Sequence, residues 1–366
     1  MACTHTAYSV DDPLNREPSL KELVSSFITL GSLSYDRNHG PIPYVEACTH
    51  VVTIDGLVSN PLRLTVEELA TKFPQHEICC ALECAGNRRH TMRTMLKEVD
   101  GLDWGDAAVM NCNWSGPRLK DILRHAGVHE ARPGLHVAFS SYQVECQDDQ
   151  WFGGSIEIER ALSNDAEVIL ALEMNGAPLE PNHGYPVRVV LPGIVGARWD
   201  QESTNFYQRR DYKVLPEEAV DRDAAEPFWD KTPAMCEVPI NSVIAVPEDN
   251  ETIILSKLGK YEVKGYAVPQ GPDGPITRVQ VSSDGGESWV DALIESPRLG
   301  ASAGDMVNKW CWVLWKVDIE IEKGSGREVL SRAFDAGGNH QAEHSQWNLR
   351  GVGYSGYGRA RHLTVR

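Results

Sequence analysis

A change of texture near Pro227 restricts the fold more than any other feature of the sequence. Beyond it, Ser242 to Val246, Tyr261 to Ala267, Thr277 to Ser282, Trp310 to Val317 and Glu328 to Phe334 read as short strands. Gly, Pro, Asp or Asn residues separate them, and helical periodicity is lost. Strand signals recurring at roughly even spacing predict a β-sandwich. Ser283-Asp284-Gly285-Gly286-Glu287, set between two β-rich runs, predicts a hairpin because its central glycines accept positive φ.

Before Pro227, helices and strands mix. A helix entry is expected at Pro18 to Val24, and Thr65 followed by Glu67 and Glu68 is a capping Thr with acids in the first turn. Arg118 to His125 reads as a helix ending near Gly127, and Ile158 to Leu162 as a further short one. Thr49 to Leu57, Leu135 to Phe139 and Val187 to Leu191 read as strands punctuated by turns. The expected fold class is therefore α+β: a polar tail over residues 1–20, a mixed α+β domain over 21–225, and a β-sandwich domain over 226–366. The acidic, proline-containing stretch from Pro216 to Pro233 is the expected linker.

Charge narrows the partners. With 52 acidic against 35 basic residues the formal charge is −17, which repels nucleic acid and anionic lipid surfaces. No segment approaches the roughly eighteen apolar residues of a membrane span, so no membrane partner is expected. Nine cysteines scattered through 366 residues suggest a reducing compartment over a disulfide framework. Met1-Ala2-Cys3-Thr4-His5 opens no signal segment, and no mitochondrial or peroxisomal signal is evident, which makes the cytoplasm the default expectation.

The segment richest in chemistry is Ala81-Leu82-Glu83-Cys84-Ala85-Gly86-Asn87-Arg88-Arg89. Small residues after a thiol allow close approach of a bulky ligand, and guanidinium groups favour thiolate and hold an anion beside it. A buried inert cysteine fits the same composition. Zinc does not: Cys79, Cys80 and Cys84 lack a second Cys or His pair at finger-like spacing. Arg37-Asn38-His39 sits on a turn ended by prolines, and His183-Gly184-Tyr185-Pro186-Val187-Arg188 precedes a buried-looking strand; each is equally readable as a structural loop. Arg209-Arg210-Asp211-Tyr212-Lys213 reads as a solvated charge run whose Tyr can exchange a proton beside cations. Gly351-Val352-Gly353-Tyr354-Ser355-Gly356 matches the dinucleotide fingerprint, but too little chain follows for a βαβ unit.

Taken together, these pieces and Trp347-Asn348-Leu349-Arg350-Gly351 resemble, in order, the sulfite oxidase family, most closely its haem-free plant-type members. The resemblance runs from about Ser25 to Val352. It implies a molybdenum-cofactor domain followed by an immunoglobulin-like dimerisation domain. It also implies that Cys84 is the thiolate ligand of molybdenum, a soft donor suited to that centre. Arg37, Asn38, His39, His183, Arg188 and Arg198 would hold the pterin and its phosphate. Arg37, Arg89, Arg350, Trp104 and Tyr212 would form the anion pocket. The implied reaction oxidises sulfite to sulfate, with electrons passing to oxygen or an external carrier such as cytochrome c; no haem, flavin or NAD is expected in this chain.

Three departures from the family pattern stand out. The segment between Arg198 and Arg210 is short and lacks a Ser-x-Lys-Trp piece, Gln143 stands nearest an expected acidic cofactor contact, and the tail after Gly351 is Gly-rich. A nitrate reductase-like core and a non-catalytic dimeric relic are the alternatives. Arg350 argues for sulfite, since the nitrate enzymes resemble Trp-Asn followed by an apolar residue there. Trp289, Trp310, Trp312 and Trp315 either fill the sandwich core or face a second copy in a homodimer.

Overall fold

The computed structural model describes residues 8–196, 206–295 and 309–366. The first half is organised by a long antiparallel hairpin, Gln75–Glu83 with Val109–Pro117, in unbroken register from Gln75 opposite Pro117 to Glu83 opposite Val109. Glu173–Met174 and Ala177–Pro178 extend it to four strands. Sequence reading placed no strand here, and the reason is physical. Cys80, Ala81, Leu82, Val109, Met110, Cys112 and Trp114 are buried on both faces of the hairpin, so the run shows no period-two alternation. Ribbons Val51–Ile54 with Leu62–Thr65, His136–Ser141 with Phe152–Glu157, and Ile169–Ala171 with Arg188–Val190 surround it. The helix Val66–Lys72 starts where expected: the Thr65 hydroxyl accepts from Glu68 N while Glu68 Oε2 accepts from Thr65 N, a complete capping box. Leu119–His125 and Ile158–Leu162 are helical as read.

The second half carries two sheets. One orders Asn241–Val246, Lys260–Val268, Val313–Glu320 and Leu293–Glu295; the other orders Thr252–Ile253, Gly358–Val365, Gly324–Asp335, Ile276–Ser282 and Val290–Asp291. They share one core, in which Ile244, Val263, Trp315 and Ile319 meet Val279, Val281, Val329 and Leu363. Ile276–Ser282 and Val290–Asp291 pair antiparallel across the Gly285-Gly286 turn, as the hairpin signal predicts. The Gly-rich tail hid a strand, Gly358–Val365, whose alternating Gly, Arg and apolar residues weaken the signal that pairing with Gly324–Asp335 makes good.

Three expectations change. The polar tail is not free from residue 15 onward: Asn15–Arg16 pairs with Asp36–Arg37, and Glu17 accepts from Gly105 N at 2.7 Å and Ala107 N at 3.1 Å. The expected linker is packed, because Leu215, Ala219, Ala225 and Trp229 bury against Met92, Val99, Trp347 and Leu349 from both halves. Trp310, Trp312 and Trp315 lie inside the protomer and give no argument for a second copy, while Trp289 is half-buried against Tyr357 and Arg332. Trp310 joins the first-half core, Trp312 donates to Phe27 O at 2.8 Å, and Trp315 fills the sheet-on-sheet core. For the same reason the strand expected from Trp310 begins only at Val313. Among the described residues no helix is long and apolar enough to cross a membrane.

Arg88 joins the halves. It is 1% exposed, donates to Asn241 Oδ1 at 2.9 Å, Gly356 O at 2.7 Å and Tyr357 O at 2.9 Å, and lies over the Tyr354 ring. Replacing it strands three acceptors, each costing about 1–3 kcal/mol when buried unpaired. Arg88→Met is therefore expected to lower the unfolding free energy by about 3 kcal/mol or more, read as a fall in denaturation midpoint with the second half loosening first in hydrogen exchange.

Candidate active site

Cys84 follows the last residue of the strand Gln75–Glu83, its N–H still bonded to Ala108 O at 2.9 Å. Strand alternation sends its thiol, with the side chains of Ile78, Cys80 and Leu82, to the face occupied by Tyr35, Trp104 and Trp114. The chain then turns sharply. Asn87 N donates to Cys84 O, and the Asn87 side chain bridges Glu83 Oε1 at 3.1 Å and Ala108 N at 3.1 Å. Arg88 takes the left-handed conformation, φ 67°, before the helix Arg89–Met95 begins. The turn thus fixes the 6%-exposed thiol on rigid backbone. Glu83, pointing the other way, has its carboxyl pushed up to about 7 by burial, against the opposing Asn87 bond and Arg88 charge.

Arg89 is aimed at this site. Its Nε donates to Arg350 O at 3.1 Å and Gly351 O at 3.2 Å, and Nη1 donates to Leu102 O at 2.8 Å. Burial lowers its pKa, while the neighbouring Cys84, Asp211 and Tyr212 act in the opposite direction. Two glycines make the space: a Cβ on Gly86 would fall 2.6 Å from Arg89 Cζ, and one on Gly101, at φ +129°, would fall 2.8 Å from it. Gly351, the first glycine of the spurious fingerprint, closes on Arg89 Cγ in the same way.

A second group converges from the N-terminal turn. Arg37 Nη2 lies 3.1 Å from His39 Nδ1, and His39 Nε2 lies 3.4 Å from the Tyr212 hydroxyl. The His39 ring packs on Tyr207 at 4.4 Å, and the Tyr207 hydroxyl donates to Gln147 O. Arg188 donates to His183 O at 3.2 Å and lies over the Trp114 ring at 5.3 Å. His183 is 2% exposed, with Nε2 3.3 Å from Asp36 Oδ1.

Cys84, Arg37, His39, Arg89, Trp104, Arg188, Tyr212 and Arg350 are therefore drawn into one region from distant parts of the chain. The remaining site residues differ. Asn38 uses its amide on Leu14 O, Arg88 and Arg210 point elsewhere, Arg210 pairing with Glu226, and Gln143 is exposed beside Ser141. Arg198 lies outside the described residues. Arg350 is in the region but is ion-paired to Asp211, with Asp100 at 3.8 Å. Sequence reading missed Tyr207, which carries no local signal, and gave Tyr35 and Asp36 no role although both sit beside Arg37.

These residues fit an anionic cofactor that presents a metal to a thiolate. Among the described residues no carboxylate lies within ion-pair distance of Arg37, Arg89 or Arg188, even though the chain has 17 more acids than bases. Trp104 Nε1 and both ring nitrogens of His183 are buried without an aligned hydrogen-bond partner. No group of three or more His, Cys, Asp or Glu able to cage a metal occurs among the described residues.

Comparison with known proteins agrees with this chemistry. The oxidoreductase molybdopterin binding domain matches residues 39–201, and the Mo-co oxidoreductase dimerisation domain matches residues 232–361. The chain is 36% identical over 363 residues to the sulfite oxidase of Arabidopsis thaliana, covering 93% of this chain and 89% of that one. It is 37% identical over 353 residues to that of Gallus gallus, covering 93% and 74%. A nitrate reductase of Oryza sativa subsp. japonica is 38% identical over 360 residues, but there the chain spans only 39% of the relative's length. The sulfane dehydrogenase SoxCD from Paracoccus pantotrophus shares the fold, with TM-score 0.70 at 22% identity over 95% of this chain and 88% of that one. This chain is a molybdopterin-dependent oxidoreductase by class. It belongs to the sulfite oxidase family, within which sulfite oxidases and nitrate reductases match it at similar identity.

The Arg89 cradle is testable without any substrate. Gly101→Ala is expected to cost about 2 kcal/mol or more in chemical denaturation, combining a positive-φ penalty with displacement of Arg89. Gly56→Ala, at φ +83° with open space around it, carries only the backbone part of about 1 kcal/mol.

Proposed function

We propose that this protein oxidises sulfite to sulfate, with Cys84 ligating a molybdopterin-bound molybdenum and electrons leaving to oxygen or to an external carrier such as cytochrome c. The observation that carries the reading is the Arg89 guanidinium beside the buried Cys84 thiol, with Arg188 reached through Tyr35 and Arg37 through His39 and Tyr212, none of the three within ion-pair distance of a carboxylate among the described residues. Fully ionised sulfite and sulfate carry two negative charges where nitrate and nitrite carry one, so a surplus of fixed cations favours the sulfur anions. Arg350 supports the same choice by its place after Trp347-Asn348-Leu349, although Asp211 offsets part of its charge.

When bound, molybdenum supplies the two-electron redox chemistry. The protein's residues do the rest. Arg188, His183 and His39 would hold the pterin and its phosphate, with Arg198 expected beside them; the Asn38 amide is engaged by Leu14 O. Arg89, Arg37 and the Trp104 Nε1–H orient the substrate anion in a cavity where burial strengthens each interaction. The Tyr212 hydroxyl, 3.4 Å from His39 Nε2, can pass a proton from the site to the imidazole. Residues 226–366 are proposed to form an immunoglobulin-like sandwich that pairs two copies; the two sheets with one core and the dimerisation-domain match support it.

Cys84→Ser is expected to abolish sulfite oxidation while leaving circular dichroism and melting temperature near those of the parent. Arg89→Met is expected to lower kcat/KM for sulfite by about a hundredfold. Steady-state assay of the molybdenum-loaded protein with both anions decides the substrate: nitrate turnover without sulfite turnover reverses the choice. Protein from a cofactor-competent host that carries no molybdenum points instead to the non-catalytic relic suggested by the short segment after Arg198. Sedimentation at micromolar concentration is expected to show a dimer.

A further inference from the structure

Four free thiols lie around the strand that delivers Cys84 and take no part in the proposed reaction: Cys79, Cys80, Cys112 and Cys311. Cys80 and Cys112 are cross-strand neighbours in the hairpin, both fully buried. Burial pushes the Cys80 thiol well up and the Cys112 thiol up to about 12; Cys311 is held up likewise, by Cys79 beside it and by burial, so of the four only Cys79 is open to an incoming oxidant.

Cys79 and Cys311 are different. Strand alternation turns Cys79 to the opposite face from Cys84, and it is half-buried where the other three are buried. The Asn111 side-chain amide donates to the Cys79 sulfur at 3.6 Å. Cys311 lies against it: its thiol donates to Cys79 O at 3.1 Å. The Asn111 amide thus faces the Cys79 sulfur, so negative charge developing there during nucleophilic attack is hydrogen-bonded. The backbone geometry suits a covalent bond. Ala81 N donates to Trp310 O at 2.9 Å, which sets residues 79–81 and 310–311 side by side as in a sheet. Such neighbours lie about 4.8 Å apart, within the Cα separation of about 4.4–6.8 Å that a disulfide spans.

We propose that Cys79 and Cys311 form a reversible thiol–disulfide pair across the seam between the two halves, oxidised by hydrogen peroxide. Cys79 sulfur attacks one peroxide oxygen, the O–O bond breaks, and the departing hydroxide takes the thiol proton to leave as water. Cys311 sulfur then attacks the resulting sulfenic acid; the S–S bond forms, the S–O bond breaks, and the Cys311 proton completes a second water. Two thiols lose two electrons and peroxide gains them. A dithiol reductant reverses the change. The bond ties the strand carrying Cys84 to the segment entering Val313–Glu320, and it does not depend on the sulfite reading or on a bound cofactor.

The full chain is treated with peroxide, alkylated, and digested without reduction for mass spectrometry. The expected product joins the Cys79 and Cys311 peptides, lighter by two hydrogens than the pair, and disappears with dithiothreitol. The melting temperature is expected to rise on oxidation and to return on reduction. Cys79→Ala and Cys311→Ala should each lose the cross-link and the melting shift, while Cys112→Ala keeps both. Because the unmodified protein is itself read, a variant that fails to fold does not protect the idea. Recovery of Cys79 as alkylated or sulfinic species beside an unmodified Cys311, or pairing of Cys79 with any other thiol, overturns it.

Discussion

Two adjacent guanidinium groups leave the same turn in opposite directions, and the rest of the molecule depends on that parting. Arg88, in the left-handed conformation, reverses the chain so that its own side chain runs into the second half while Arg89 faces the Cys84 thiol. The cost of the strained φ, about 1–2 kcal/mol for a residue with a Cβ, is offset by three buried hydrogen bonds to Asn241, Gly356 and Tyr357. The same contacts that hold the halves together therefore hold the active-site turn in shape. Asn87 adds to this by bridging Glu83 and Ala108 and by donating to the Tyr266 hydroxyl from the second half.

The electrostatics follow from the same geometry. A chain of charge −17 repels anions that approach its surface, an effect screened beyond a Debye length of about 8–10 Å in physiological salt. Around the thiol the balance reverses, because Arg89 lies beside it, Arg188 lies against Tyr35 and Arg37 against His39, and the carboxylates stay out of ion-pair distance of all three. Asp211 is the exception, and it is spent on Arg350. Glycines at 86, 101 and 351 make the arrangement sterically possible by letting backbone close around Arg89. This explains why a motif that looks like a nucleotide fingerprint in one dimension serves as packing in three.

Much of the architecture was legible because its signals are local. Thr65 and Glu68 cap a helix through their own side chains, Gly285-Gly286 turns a hairpin through its own backbone, and the loss of helical period near Pro227 marks the two-sheet half. The central hairpin was not legible, since burial on both faces erases the alternation by which strands are read. The stretch from Leu215 to Trp229 lies between the two family-model matches, as a linker would, but its packing was not legible because acids and prolines mask the few apolar residues that bury it.

The sequence alone determined the class of chemistry: one thiol followed by small residues and paired arginines, with His, Arg and Tyr motifs in a recognisable order. Tertiary structure decided which of those groups act together, because a side chain's partners depend on strand faces and chain crossings that no local pattern encodes. It separated Arg89 from Arg88, paired Arg350 with Asp211, put Tyr212 against His39, and set Cys79 beside Cys311 from the far end of the chain. Charge and hydrogen bonding act over a few ångströms, and only the fold brings residues that far apart in sequence within that range.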